Sequence, residues 1–336
     1  MKITVCIGTG GVGKTSVAAA TAVARARAGA KCVLLTADPA LSLRNALGLK
    51  NSVQEQRVEL HPTGPGDFWA TLLDVRATLD EAVRLYAAPR DRERILNHSI
   101  YGTLADSLSG MQELMAVERI DQLLRRGFTD IVIDTGPSRH SLKMLDKPEL
   151  FAEFPGSNWV KLLSQTYQLT GGFGMMALGR KTVETYNQVE SMLGTKLVRE
   201  VLDFYSLFAA VAEGYAVRAQ KTVTFLKDPA VTEFRLVSVP QKARRDARFF
   251  SSELKTRGLR LSGVFVNRTW EREPLLDRAG GEALEWYRCV KAAQAREIAA
   301  LREEFAGVRV LPELDRDVDG LEALEVLAEE LRQRSA

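Results

Sequence analysis

The run Gly8-Thr9-Gly10-Gly11-Val12-Gly13-Lys14-Thr15-Ser16 brings together the residue types that hold a polyphosphate. It satisfies G-x-x-x-x-G-K-[ST] and lies between an apolar stretch, Ile3 to Ile7, and an Ala- and Val-rich helical run, which is the setting this motif requires. The glycines let backbone N–H groups converge on phosphate oxygens, and the positive end of the following helix adds to their pull. Lys14 brings a mobile charge to the β and γ phosphates, and Thr15 is expected to ligate Mg2+. A magnesium-bound nucleotide is therefore the expected ligand of Gly8 to Ser16.

Hydrolysis needs a second magnesium partner and a group that orients water, and two aspartates stand where such groups are needed. Asp134 closes the apolar run Ile131-Val132-Ile133, which puts a carboxylate at the carboxyl edge of a sheet, where open α/β folds bind ligands. It is the expected Walker B residue and holds the metal through a water. Asp38 follows the apolar run Cys32 to Thr36 and precedes Pro39. Two readings of it stay open on the residues alone, a turn aspartate and the group that orients the attacking water.

The elements that must carry these residues are legible as short apolar runs separated by helical patterns. Strands are expected over Ile3–Ile7, Cys32–Thr36, Phe68–Leu73, Asp130–Asp134, Arg235–Val239, Gly263–Val266 and Val308–Leu311. Near-continuous apolar runs, rather than alternating ones, belong to strands covered by helices on both faces. The expected fold is α/β, a mostly parallel, doubly wound sheet with an inserted α-helical subdomain. Residues 1–148 and 229–336 are expected to form the core and 149–228 the insertion, where Tyr186, Val189, Leu193, Leu197, Val201, Phe204 and Phe208 recur at helical spacing.

Charge and cysteine usage exclude several classes. Lys and Arg number 46 against 43 Asp and Glu in 336 residues, so nothing points to nucleic acid. Cys6, Cys32 and Cys289 form no C-x-x-C pair, which leaves neither a disulfide framework nor a zinc site to read. Neither a signal peptide nor a membrane-spanning run is expected, and the protein is expected in the cytoplasm.

Three segments together resemble the ArsA-like ATPases: Gly10 to Thr15, Ala37-Asp38-Pro39-Ala40-x-Ser42-Leu43, and Asp134-Thr135-Gly136-Pro137-Ser138-Arg139-His140-Ser141-Leu142. Asp228-Pro229, Val239-Pro240, Val264-Phe265-Val266-Asn267-Arg268 and Leu311-Pro312 continue the match in order. The resemblance implies a dimeric ATPase that couples ATP and Mg2+ to capture or release of a hydrophobic protein client. It implies that Asp38 sits in switch I and positions the water, that Asp134 to His140 form switch II, and that Asn267 reads adenine beneath the loop after Pro312. Phe173, Met175, Met176 and Leu178 lie in the stretch where such a client would be handled.

Departures from the family pattern are as informative. Thr9 replaces a lysine that reaches the partner subunit's nucleotide, Gln241 replaces a glutamate, and Leu41 replaces a histidine. The cysteines that bind metalloid or zinc in some members have no counterparts. A homodimer would lack the trans cation, so hydrolysis is expected to be slow. A heterodimer with a lysine-bearing paralogous ATPase would regain it at this chain's nucleotide, and the alternative role is that of a weakly active scaffold or regulatory subunit.

Overall fold

The computed structural model describes residues 1–37, 47–49, 54–60, 64–102, 111–136, 142, 145, 195–270, 281–315, 317–318 and 320–333. They fall into two compact units, the first comprising Met1–Leu73, Gln122–Asp146 and Thr224–Ala336, the second Asp74–Asp121 and Lys147–Val223.

The first unit is built on an eight-stranded sheet. Its strands are β1 (Lys2–Ile7), β2 (Lys31–Thr36), β3 (Gln56–Val58), β4 (Asp67–Leu72), β5 (Asp130–Asp134), β6 (Thr232–Ser238), β7 (Leu261–Thr269) and β8 (Val308–Pro312). The order across the sheet is β3-β4-β2-β5-β1-β6-β7-β8, and every neighbouring pair is parallel except β3 with β4. All seven expected strands are present, and the sheet is mostly parallel as the apolar runs require. Ile3, Val5, Ile7, Val33, Leu34, Leu35 and Ile131 are wholly buried, so helices do cover both faces of the central strands. The strand that was not expected, β3, is a three-residue antiparallel edge whose Gln56 and Arg57 remain at least partly exposed.

Helix α1 (Lys14–Arg27) is buried nearly all round, through Val17 to Val23 and Ala26, as a helix between sheet and neighbour must be. Its neighbour is the last helix, α8 (Leu321–Gln333), whose stripe Ala323, Leu324, Leu327, Ala328 and Leu331 enters the same core. The small side chains of α1 let the two helices approach closely.

The second unit is helical. It contains α2 (Val75–Tyr86), α3 (Arg92–Leu96), most of α4 (Met111–Arg125) and most of α5 (Thr195–Lys227). Asp74 caps α2 by accepting from the Ala77 N–H at 2.9 Å, the usual remedy for an unpaired first-turn donor. Tyr86 donates to Glu118 at 2.9 Å and Tyr215 to the Leu114 carbonyl at 3.1 Å, which ties α2, α4 and α5 together. This unit takes in α2 to α4 together with part of α5, and Leu79, Ala82, Val83, Ile95 and Met115 are among its buried side chains. The expected periodicity is shifted. Phe204 and Phe208 stack at 5.2 Å between ring centres, but Val201 is exposed and Leu202 takes the buried place. Phe173 to Leu178, and Tyr186 to Leu193, lie outside the described residues.

Candidate nucleotide-binding site

Strand β1 ends at Ile7 and helix α1 begins at Lys14, so Gly8 to Gly13 form the turn between them at the carboxyl edge of the sheet. Two glycines are demanded by their surroundings. A Cβ on Gly8 would stand 2.4 Å from the Val237 carbonyl oxygen of β6, and one on Gly13 would stand 2.3 Å from Asn267 Nδ2. Gly13 also has φ 80°, in the left-handed region that glycine enters without strain. It is the N-cap of α1, no side chain caps the helix there, and its first turn holds no acidic residue. The leading N–H groups of a 14-residue helix thus face the loop, which is how helix N-termini receive phosphate.

Lys14 and Thr15 project toward Asp134 at the end of β5. Lys14 Nζ is 2.8 Å from Asp134 Oδ1 and also donates to the Thr135 carbonyl. Thr15 Oγ1 donates to Asp134 Oδ2 at 2.7 Å, and Thr36 Oγ1 donates to the same oxygen at 3.0 Å. Sheet register explains the meeting, since Asp134 pairs with Cys6 on one side and Thr36 on the other. Asp134 is fully buried and Lys14 is 4% exposed, so the pair interacts with little screening. The same burial, with the Asp134 charge beside it, pushes the Cys6 thiol up to about 12. One carboxylate and two hydroxyls are hard oxygen ligands that suit Mg2+, which usually takes one or two carboxylates beside substrate phosphates and water.

Asn267 is brought to the loop from β7. Its Nδ2 donates to the Val12 carbonyl at 3.0 Å, while its Oδ1 remains an acceptor on the same amide. The strand is irregular here, with a register shift between Val266 and Thr269 and Arg268 at φ 59°, a backbone that a non-glycine residue adopts at some cost. Pro312 ends the adjacent strand β8 opposite Thr269. Thr9, Gly10, Gly11 and Ser16 complete the loop and the first turn of α1. Asp38, Leu41 and Arg139 lie outside the described residues.

Three residues of this site escaped sequence reasoning. Thr36 had a signal, being a hydroxyl at the end of an apolar strand, as Asp134 is a carboxylate at the end of another. Ser238 and Asp246 had none. Thr9 Oγ1 donates to Asp246 Oδ2 at 3.2 Å and Ser238 Oγ to the same oxygen at 2.8 Å, with Asp246 2% exposed in the first turn of α6 (Ala243–Thr256). Thr9 is thus turned toward α6. Of the arginines around Asp246, Arg245 lies 3.9 Å from its Oδ1, while Arg244 and Arg248 pair elsewhere. Arg248 pairs with Glu304 through two bonds of 2.7 Å and Arg244 joins at 2.9 Å, a solvated face that locks α6 to α7 (Gly281–Glu304).

The sequence profile described as "Anion-transporting ATPase" matches residues 1–333. The chain belongs to this ArsA-like ATPase family. It is 25% identical over 339 aligned positions to "Putative arsenical pump-driving ATPase 1" of Aquifex aeolicus, covering 98% of this chain and 78% of that protein. Similarity extends to "ATPase get3" of Schizosaccharomyces japonicus at 23% over 94% of this chain and 88% of that protein. "ATPase ARSA2" of Chlamydomonas reinhardtii is 26% identical over 96% of this chain and 81% of its own length. Membership of the family supports nucleotide-dependent ATPase activity that uses ATP. Among the described residues no helix is long and apolar enough to cross a membrane.

Proposed function

We propose that this chain hydrolyses ATP to ADP and phosphate at Gly8 to Ser16, and that a dimer of it uses the nucleotide state to capture and release a hydrophobic protein client. The observation that carries the reading is the convergence of Lys14, Thr15 and Thr36 on the buried carboxylate of Asp134. The loop amides and the start of α1 receive the phosphates, and Lys14 shifts from Asp134 to the β and γ oxygens. Thr15 and Asp134 would hold the magnesium, which would offset the charge that develops on the phosphate oxygens. Asp38 orients the water for attack on the γ phosphorus. Asn267 turns its amide toward the adenine edge, with Pro312 on the neighbouring strand bordering the base. The compartment is the cytoplasm, in keeping with three free cysteines of which Cys289 is exposed.

A second reading, a slow regulatory subunit paired with a lysine-bearing paralogue, is favoured by one contact. Thr9 supplies no cation and its hydroxyl is engaged by Asp246. Single-turnover hydrolysis by the isolated chain, with and without such a paralogue, separates the two. Asp38→Asn is expected to bind MgATP with unchanged affinity while turnover falls at least about a hundredfold, the range of general-base loss. Wild-type turnover in that variant would reduce Asp38 to a turn residue.

A further inference from the structure

Four arginines meet around one cavity at the amino-terminal edge of the sheet, the edge opposite the phosphate loop. Helix α1 joins the two places, with Lys14 at its start and Arg25 near its end, roughly 16 Å along the axis at 1.5 Å per residue. The cavity has a volume of about 240 Å³ and is walled by Arg25 of α1, Arg235 of β6, Arg309 of β8 and Arg332 of α8. Ala24 and Leu331 supply its apolar sides.

The charges there are unequal. Glu233 receives Arg25 at 2.9 Å and Arg235 at 2.8 Å, so two guanidinium groups share one carboxylate, which the Thr4 hydroxyl also engages at 2.7 Å. Asp130 stands 3.9 Å from Arg25, and Arg332 is held at the rim by Glu329 at 2.9 Å. Arg309 is the third cation facing the interior. Its burial, followed by the charge of Arg235, holds it below the ordinary guanidinium value, with Glu233 opposing and Arg25 adding to the effect. Four guanidinium groups thus line one small cavity, with Glu233, Asp130 and Glu329 as the carboxylates paired to them.

We propose that this cavity is a second anion site, distinct from the nucleotide site, that takes a compact phosphate-bearing dianion of the size of pyrophosphate or a small phosphate ester. Guanidinium groups are planar forks suited to phosphate oxygens, and Arg25, Arg235 and Arg309 bring three of them to the cavity from three different elements. The volume falls below the ~300 to 1,000 Å³ of pockets for drug-sized ligands, which selects a small anion over a nucleotide. Glu233 orients Arg25 and Arg235, and at the same time weakens the binding by facing the ligand with like charge.

The test uses the full chain with its phosphate loop filled by a fluorescent ADP, at low ionic strength because exposed charge pairs are screened by salt. Sodium pyrophosphate is titrated by calorimetry while the fluorescence is followed. The expected result is saturable binding of one pyrophosphate per chain with no loss of the labelled nucleotide. Arg309→Gln should weaken it at least about tenfold and Glu233→Gln should tighten it severalfold. The gain in Glu233→Gln is a readout that a merely destabilised protein would not produce, and melting temperatures of both variants separate folding from binding. No saturable heat, heat that displaces the labelled nucleotide, or equal affinity in wild type, Arg309→Gln and Glu233→Gln would each overturn the assignment and leave the arginines as a structural network.

Discussion

Lys14 has a place in the folded protein apart from any nucleotide, because it is the cation beside the fully buried carboxylate of Asp134. Lys14→Ala is expected to abolish MgATP binding by calorimetry. It should also lower the stability of the ligand-free protein by about 3 kcal/mol in urea unfolding, since removing one partner of a buried pair leaves the other uncompensated. Thr15 and Thr36 soften that loss by still donating to Asp134. Any substitution at Thr9 must reckon with Asp246. A lysine at that position would lie beside Asp246, whose carboxylate is 3.2 Å from the Thr9 hydroxyl and 2% exposed. The new ammonium would be drawn to that carboxylate within its own subunit. Thr9→Lys alone should therefore leave steady-state ATPase activity near wild type, whereas Thr9→Lys with Asp246→Ala should raise it about tenfold or more at dimer-saturating concentration, as a trans cation does in related phosphoryl transfers. Equal rates in the two variants would remove Asp246 from the account. Lys14, Thr15 and Asp134 were legible because motif spacing and a polar end to an apolar strand are local signals. Asp246 was not, because its tie to Thr9 spans 237 positions and depends on how α6 leaves β6.

Strand ends and helix starts place these residues, and the close fit of β1 against β6 is what fixes the loop. Gly8→Ala would press a methyl group against the Val237 carbonyl, a backbone atom that cannot turn aside, and should cost about 1–3 kcal/mol in urea unfolding. Gly136→Ala, where a Cβ meets nothing within 4 Å, is the matched control and should be near neutral. The seven apolar strands could be read directly, since period and length both argue for them. The ends of β5 could be read as well, Asp130 and Asp134 both being met, but those of β7 could not. It runs to Thr269 through Arg268 in a left-handed backbone, and that irregularity sets Asn267 against the loop. No pattern of residue types encodes such a bend. In α5 the spacing of three and four was legible, but the choice of Leu202 over Val201 for the buried face depended on what α5 packs against.

At the scale of the molecule, the fold class follows from the alternation of strands and helices, but the division into units does not. Helix α2 begins directly after β4, and only its partners show that it belongs with α5. The arginine cavity is likewise a product of assembly, drawn from α1, β6, β8 and α8. It carries a consequence for acid stability. Burial alone would raise the Glu233 carboxyl, but the charge and hydrogen bond of Arg235, the Thr4 hydroxyl and Arg25 together hold it below the ordinary 4.5. A depressed carboxyl adds stability that is complete above the ordinary value and is lost as pH falls through the lowered one. Melting temperature should thus fall with pH below about 4.5, and less steeply in Glu233→Gln. The central place of β1 bears on how the chain is made. The strand that carries the phosphate loop is translated before its neighbours β5 and β6, and α1 before α8, which covers it. Translation at about 5–20 residues per second separates the completion of α1 from the arrival of α8 by roughly 15–60 s. Throughout that interval the nascent protein presents Val17 to Ala26 without its final cover, apolar surface of the kind that makes a growing chain prone to aggregate.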